Sequence, residues 1–374
     1  MTDVQQKRKL FVNEPVTIKT VAEAANCAVS TVSRALRDDP AISDASKKRI
    51  RQAAEALNYR RLRRPSIKAG NNGHSTDGLR DQRLVVITMG MDRSLTSLPV
   101  VNATLCGVED ALSVSGLRLQ VTHVPDLDDV PSHLDCSELD GVFLFGPLHG
   151  RILADSGCSL LQQLRELPTV WLHGRPEGCD WGDSVGADDV LVGQMAADYL
   201  ADQGHESVAF VSPKPNQLLM RNRETGFLAQ ALRRGLHVQR YVEPPSGGWA
   251  MPIKPPLTIE TVQHLVDGVL SATPRPTAVF ASCDSVAAGI YGALAARGVQ
   301  VGDEMSVIAG NHDWALISGL HPALTTFDIH AHEIGRLAVR QMESRLRMKD
   351  ALPPAFLAIE PHLVRGESVK PYRS

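Results

Sequence analysis

Nowhere in these 374 residues does an apolar run approach the ~20 needed to cross a bilayer. The opening, from Met1 to Asn13, is polar and charged, unlike a secretory leader. Cytoplasmic residence without a membrane partner is the expectation. The 6 cysteines, at 27, 106, 136, 158, 179 and 283, show no CxxC or other metal spacing, so they read as reduced and mostly buried or incidental. Signatures of catalysis are also scarce: there is no GxxxxGK(S/T), no GxGxxG after a strand and no HExxH. His321, His330, His332 and Glu333 come nearest to a metal cluster, but a His-x-His-Glu run at a helix start reads as solvated. No metal, cofactor or catalytic residue is expected.

The length exceeds one ordinary domain and suggests two or three. The formal net charge of −3 hides an asymmetry. Residues 1–68 hold 15 Lys and Arg against 7 Asp and Glu, net +8, and the rest holds 24 against 35, net −11. A basic, helix-patterned amino-terminal segment on an acidic protein points to a polyanionic partner for that segment alone. A merely solvated face would explain high charge, but not its single sign.

Within that segment Ile18, Val21, Ala22 and Ala25 share one helical face, and Val29, Val32, Ala35 and Leu36 share another after a tight turn. The outward side of the second helix carries Ser30, Thr31, Ser33 and Arg34. Short hydroxyls suit phosphate oxygens, and a fork-shaped cation suits the guanine O6/N7 edge in a major groove. Ser43 is placed to cap a third helix with Ile50, Ala54 and Leu57 on one face. Helix-turn-helix geometry also occurs in small α-domains that never touch DNA, so the rest of the chain must decide.

Residues 65–82, PSIKAGNNGHSTDGLRDQ, are glycine-rich and almost without apolar side chains, which marks a domain boundary. Beyond them, β-like runs at 84–89, 117–124, 141–145, 168–172, 207–212, 277–281 and 305–309 alternate with helical stretches such as 193–203, 225–234 and 285–297. The alternation argues for βαβ units around parallel sheets, and two medium sheets accommodate this length more naturally than one.

The stretches VTIKTVAEAANCAVSTVSRAL, ISDASKKRI and LNYR resemble the headpiece of the lactose-repressor (LacI/GalR) family of bacterial transcription regulators. LDGV, VGADD, QGHESVA, RETGF, RPTAVFA and HPALTT resemble its core, in the same order, so the likeness runs from residue 16 to about 345. It implies a small all-α helix-turn-helix headpiece and an α/β core of two doubly wound parallel sheets, similar to periplasmic sugar-binding proteins, with a ligand crevice between the lobes. The implied divisions are a tail at 1–15, a DNA-binding domain at 16–64, a linker at 65–82 and an effector-binding and dimerisation domain at 83–374. The N-lobe would take about 84–203 plus 325–350, and the C-lobe about 204–324 plus the C-terminal segment.

On this resemblance operator specificity rests mostly on Val29, Ser30 and Arg34, while Thr17, Thr31, Ser33 and Tyr59 hold phosphates and set register. Ala28 stands where the family has a capping Ser or Thr, and Asn26 where it has glycine. Pro65 follows Arg60, Arg61, Arg63 and Arg64 where a hinge helix is usual. A proline inside a helix costs ~3 kcal/mol, so it would start, displace or abolish that hinge. The arginines then read either as a cationic arm along phosphates or as a solubilising linker.

In the crevice, Arg223 matches an arginine that grips ligand hydroxyls or a carboxylate, or else pairs with a neighbouring acid. Asp188 matches a lining acid, or caps the next helix. Trp249 matches an aromatic laid against a sugar's apolar face, or belongs to a core. Cys283 replaces the family's Asn, with Asp284 as the expected helix cap, and Asn311 replaces an Asp. Val100 and Val101 replace aromatics. These departures argue against the well-known hexoses and leave a sugar acid, a phosphorylated sugar or an oligosaccharide piece open. The expectation is a DNA-binding transcriptional repressor that holds a pseudo-palindromic double-stranded operator as a homodimer and answers to a sugar-like effector. The alternative is a solute-binding protein on the same core.

Overall fold

The computed structural model describes residues 22, 24–25, 27–28, 31–32, 35, 43–56, 79, 82–214, 217–243, 250–254, 260–348 and 353–372. The chain divides into two units, Met1–His74 and Ser75–Ser374.

In the first unit, helix α1 (Asp44–Ala56) follows Ser43. The Ser43 carbonyl accepts from Lys47 N at 2.9 Å and its hydroxyl from Ser46 N at 3.4 Å, the capping role expected of it. Ile50 and Ala54 of α1 pack with Ala22, Ala25, Val32 and Ala35, all of them buried. Each described member of the three apolar faces therefore lies inside. The amides of Thr31 and Val32 donate to Ala28 O at 2.9 and 3.1 Å, so Ala28 closes the first turn of the next helix with its backbone alone.

The second unit holds two six-stranded sheets. One is built from β1 (Leu84–Met89), β2 (Val121–Val124), β3 (Gly141–Phe145), β4 (Thr169–Leu172), β5 (Asp183–Ala187) and β11 (Phe356–Ile359), in the order β11-β5-β4-β3-β1-β2. The other is built from β6 (Ser207–Ser212), β7 (His237–Val242), β8 (Ala278–Ala281), β9 (Ser306–Asn311), β10 (Thr325–Asp328) and β12 (His362–Val364), in the order β12-β10-β9-β8-β6-β7. All pairings are parallel except β10 with β12. The same winding order thus occurs twice. β1, β3, β4 and β8 are buried along their whole length, as strands covered on both faces require.

The covering helices are α2 (Pro99–Val114), α3 (Ser159–Arg165), α4 (Asp189–Asp202), α5 (Leu218–Arg234), α6 (Glu260–Ser271), α7 (Asp284–Ala295), α8 (Trp314–Ile317) and α9 (Ala331–Arg347). The chain leaves the N-lobe after β5, and α4 lies on α5 in the C-lobe. It returns after β10, where α9 lies on α2. The expected lobe limits shift accordingly: α4, placed at the end of the N-lobe by the resemblance, belongs to the C-lobe, and so does β10, while β11, in the C-terminal segment expected in the C-lobe, pairs with β5 in the N-lobe sheet. The crossings fall at strand ends because each crossing helix fits only the other lobe. A Cβ at Gly226 would collide with the Val190 carbonyl, and one at Gly193 with the Arg223 carbonyl, so α4 and α5 touch backbone to backbone. Gly107 and Gly335 allow the same approach of α2 and α9, against the carbonyls of His332 and Thr104.

Two expected boundaries move for local reasons. The strand expected at 117–124 begins only at Val121, because Gly116 at φ +75° reverses the chain and Leu117 N caps α2 through Leu112 O. Helix α5 starts at Leu218 rather than 225, its first turn anchored by Leu218 N on Leu148 O at 2.7 Å.

Candidate ligand crevice and DNA-binding unit

Doubly wound sheets bind ligands outside the carboxyl ends of their strands, where the strand order reverses. Here the reversal lies between β1 and β3 in one lobe and between β6 and β8 in the other. The two places face each other and are closed. His149, after β3, forms an antiparallel bridge with Gln217, before α5. Ile253 of the C-lobe donates to Gly90 O at 2.9 Å and accepts from Asp92 N at 2.8 Å. Arg221 pairs with Glu177 across the same seam at 2.8 Å.

Of the expected effector residues, Arg223, Asn311 and Cys283 come together at the C-lobe strand ends. Arg223 is fully buried. Its Nε donates to Asp189 Oδ1 at 2.8 Å, Nη1 to the carbonyls of Ser282 at 2.8 Å and Gly310 at 3.3 Å, and Nη2 to Asn311 Oδ1 at 2.9 Å. Its pairing with a neighbouring acid is therefore realised, and the guanidinium also orients the Asn311 amide. Asn311, at φ +134°, donates through Nδ2 to Asp313 at 3.1 Å. Burial pushes the Asp313 carboxyl up to about 6, with the nearby Asp284 adding to the effect and Asn311 opposing it.

Cys283 occupies the cap position of α7, so Asp284 is not the cap it was expected to be. Asp284 instead accepts from Asp313 N at 2.7 Å and Thr326 Oγ1 at 2.6 Å, tying the ends of β8, β9 and β10 together. The Cys283 thiol lies 3.2 Å from Ser285 Oγ and 3.6 Å from Lys214 Nζ. Burial would raise its pKa, but Lys214, Ser285, the Val286 amide and Arg223 outweigh that and lower it. Asp188 caps α4, accepting from Leu191 N at 2.9 Å. Trp249 lies outside the described residues.

The N-lobe side contributes His149 and His173, neither of them expected. His173 follows β4 at φ +65°, its Nε2 2.7 Å from Thr104 Oγ1, and burial pushes it down to about 4. His149 is likewise pushed to about 4, by burial and by the charge of Lys214. Gln217 Oε1, Ser282 Oγ and His312 Nδ1 are buried polar atoms without a hydrogen-bond partner. Each follows a strand end or precedes α5 at the seam, a position that only the fold discloses. A separate cavity of about 370 Å³ lies at the opposite, amino ends of β1 and β2, lined by Arg83, Arg118, His133, Asp135 and Glu138. It is remote from the crevice.

Of the expected DNA contacts, Thr31 is described and half-buried. Thr17, Val29, Ser30, Ser33, Arg34, Tyr59, Arg60, Arg61 and the Pro65 hinge lie outside the described residues. His332 lies 3.1 Å from Asp110 and 3.5 Å from Glu333, which pairs with Arg336 at 3.2 Å, and no group of three or more possible metal ligands occurs among the described residues. No described helix is long and apolar enough to cross a membrane.

Comparison with known proteins agrees with both units. Residues 17–61 match the description "Bacterial regulatory proteins, lacI family", and residues 197–369 match "Periplasmic binding protein-like domain". The chain is 27% identical over 364 residues to the HTH-type transcriptional repressor PurR of Mannheimia succiniciproducens, covering 95% of this chain and 98% of that one. It is 27% identical over 344 residues to the ribose operon repressor of Escherichia coli, covering 88% and 93%. Its fold matches the solved complex of the transcriptional regulator CelR with cellobiose at a TM-score of 0.62 and 21% identity, over 95% of this chain and 100% of that one. The chain thus carries a helix-turn-helix domain of the lacI family of bacterial regulatory proteins and a periplasmic binding protein-like domain.

Proposed function

We propose that the chain is a sequence-specific DNA-binding transcriptional repressor, acting in the cytoplasm as a homodimer on a pseudo-palindromic operator. A carbohydrate-like effector bound between its lobes would control it. The observation that carries this is the conjunction of a lacI-type headpiece at 17–61 with a core whose two switch points face each other across a closed seam. Relatives named as repressors over nearly the whole length, and a cellobiose-bound protein of the same fold, support it. Two-fold assembly follows from docking: one headpiece reads too few bases for genomic selectivity, and two at fixed spacing multiply the discrimination. Effector binding would bias the lobe arrangement and so the headpiece spacing, a coupling of ~1–3 kcal/mol in comparable systems.

The test is a gel shift against genomic fragments with random competitor DNA, comparing wild type with Arg34→Ala. Wild type should select discrete fragments and the variant should lose selection while its core keeps its melting temperature. Wild-type binding with no preference over competitor, with and without candidate metabolites, would overturn the reading.

A further inference from the structure

The crevice holds a cation for which neutral sugars have no use. Lys214 follows β6 and Cys283 follows β8, the two strands between which the C-lobe sheet reverses its order. Lys214 Nζ bonds only the Cys283 thiol, at 3.6 Å, and forms no ion pair among the described residues. Helix α7, 12 residues long, begins at Cys283 without a side-chain cap hydrogen bond, so the positive end of its peptide dipoles lies beside the lysine, offset in part by the Asp284 carboxyl of its first turn. Beside it, Ser282 has no exposed surface, and its hydroxyl has no partner. From the facing lobe, His149 lies close enough to feel Lys214, and its ring is neutral at physiological pH. Asn311 and Asp313, at the next strand end, supply an amide and a carboxylate suited to hydroxyl groups.

Resting on the regulator role above, we propose that Lys214, with the amino end of α7 and the Ser282 hydroxyl, holds the anionic group of the effector, a carboxylate or a phosphate on a polyhydroxylated carbon chain whose hydroxyls lie toward Asn311 and Asp313. A neutral ligand would strip water from Lys214 on closure and leave its charge unpaired, which is unfavourable in a partly buried site. An anion satisfies the lysine and the helix end together. Cys283 and, more weakly, Asp313, both of which feel the charge of Lys214, are the groups that compete as counter-ion.

The experiment is a calorimetric and thermal-shift titration of the full chain with matched pairs: glucuronate and glucose, gluconate and glucitol, glucose 6-phosphate and glucose. Inorganic phosphate serves as the bare anion. Wild type, Lys214→Met, Lys214→Arg and Cys283→Ser are compared, and any binding to the basic headpiece is common to all four. The acid of at least one pair, or phosphate itself, should stabilise wild type where its neutral partner does not. Lys214→Met should weaken that binding at least tenfold, Lys214→Arg should keep most of it, and Cys283→Ser should equal or exceed wild type. Carboxylates responding without phosphates, or the reverse, identifies the group. Equal binding of a neutral partner, retention by Lys214→Met, or no Lys214-dependent stabilisation by any anion overturns the inference. Operator gel shifts on the same samples separate the two claims: selective DNA binding released by a neutral sugar keeps the regulator and discards the anion site, whereas Lys214-dependent anion binding without operator selection does the reverse.

Discussion

Arg223 and Asp189 form an ion pair at 2.8 Å with side chains 1% and 4% exposed, joining the middle of α5 to the first turn of α4. The pair sits where the chain enters the C-lobe, and the same guanidinium holds Ser282, Gly310 and Asn311. One residue therefore fixes a helix crossing and two strand ends of the crevice. The other crossing has a smaller counterpart: Thr104, three residues before Gly107 as Arg223 is before Gly226, bonds Ala331 at the start of α9 at 3.0 Å.

Removing one partner of a buried pair leaves an uncompensated charge and costs ~3–5 kcal/mol, whereas replacing both with apolar groups is often near neutral. Arg223→Leu should therefore lower core stability by that amount in urea denaturation, and Arg223→Leu with Asp189→Leu should recover most of it. A double variant no more stable than the single one would show that the carbonyl contacts, not the ion pair, dominate.

Gly226 tests the helix crossing. Alanine in a helix interior is favoured over glycine by ~1 kcal/mol, so a surface site would gain stability from the change. At Gly226 the new Cβ meets the Val190 carbonyl, and overpacking of this kind costs ~1–3 kcal/mol, so Gly226→Ala should be destabilising. Gly319, with nothing within 4 Å of the position its Cβ would take, is the control and should change stability by less than ~0.5 kcal/mol.

The contrast between these glycines and the strands shows what the sequence discloses. Runs such as Gly141–Phe145 and Ser207–Ser212 were legible to the residue because strands buried on both faces read as continuous apolar stretches. β5 was not, because Asp183 opens it: the charge is buried only because Gln341, Ala355 N and Arg345, all more than a hundred residues away, bond it. β7 and β11 are partly exposed and carry no such run. In the crevice, Arg223, Asn311 and Cys283 are expected from the motifs around them, and the structure brings the three together at the C-lobe strand ends. Lys214, His149 and His173 were missed, since single residues after strand ends carry no pattern and acquire meaning only when two lobes bring them together.

Buried histidines should make the core sensitive to acid. His173 is pushed down to about 4 by burial, and His149 and His205 also stand at about 4. A histidine whose folded pKa lies below its unfolded value of ~6.5 leaves stability constant above that value and removes it as pH falls toward the folded pKa, because only the unfolded chain takes the proton. For His173 this amounts to about 2 kcal/mol between pH 7 and 5. Asp313, raised to about 6, acts in the opposite direction, since its folded form binds the proton first and gains stability as pH falls through that range. Asp189 and Asp284, also raised by burial, act with Asp313, and His123, lowered by burial, acts with the other histidines, so the histidine contribution is isolated by comparing variants. Between pH 7 and 5 the denaturation midpoint of His173→Gln should fall less than that of wild type. An identical drop in both would place the acid sensitivity elsewhere.

The final prediction separates two ways in which arginine contributes to DNA binding. Arg60, Arg61, Arg63 and Arg64 precede a proline that disfavours a continuing helix, so any use of them in DNA binding would lie in charge along the phosphates rather than in base-edge geometry. Each phosphate contact released flattens the dependence of log affinity on log salt by about 0.9. Changing all four to Gln should flatten the slope by up to about 3 to 4 and weaken operator and random duplex alike. Arg34→Ala removes a single cation suited to a guanine edge, so it should change the slope by about 1 at most and abolish the preference for operator over random DNA. Fluorescence anisotropy across a salt series, with both duplexes, reads the two effects independently. An unchanged slope in the fourfold variant would return these arginines to the status of a solubilising linker, and preserved selectivity in Arg34→Ala would move base reading to Val29 and Ser30.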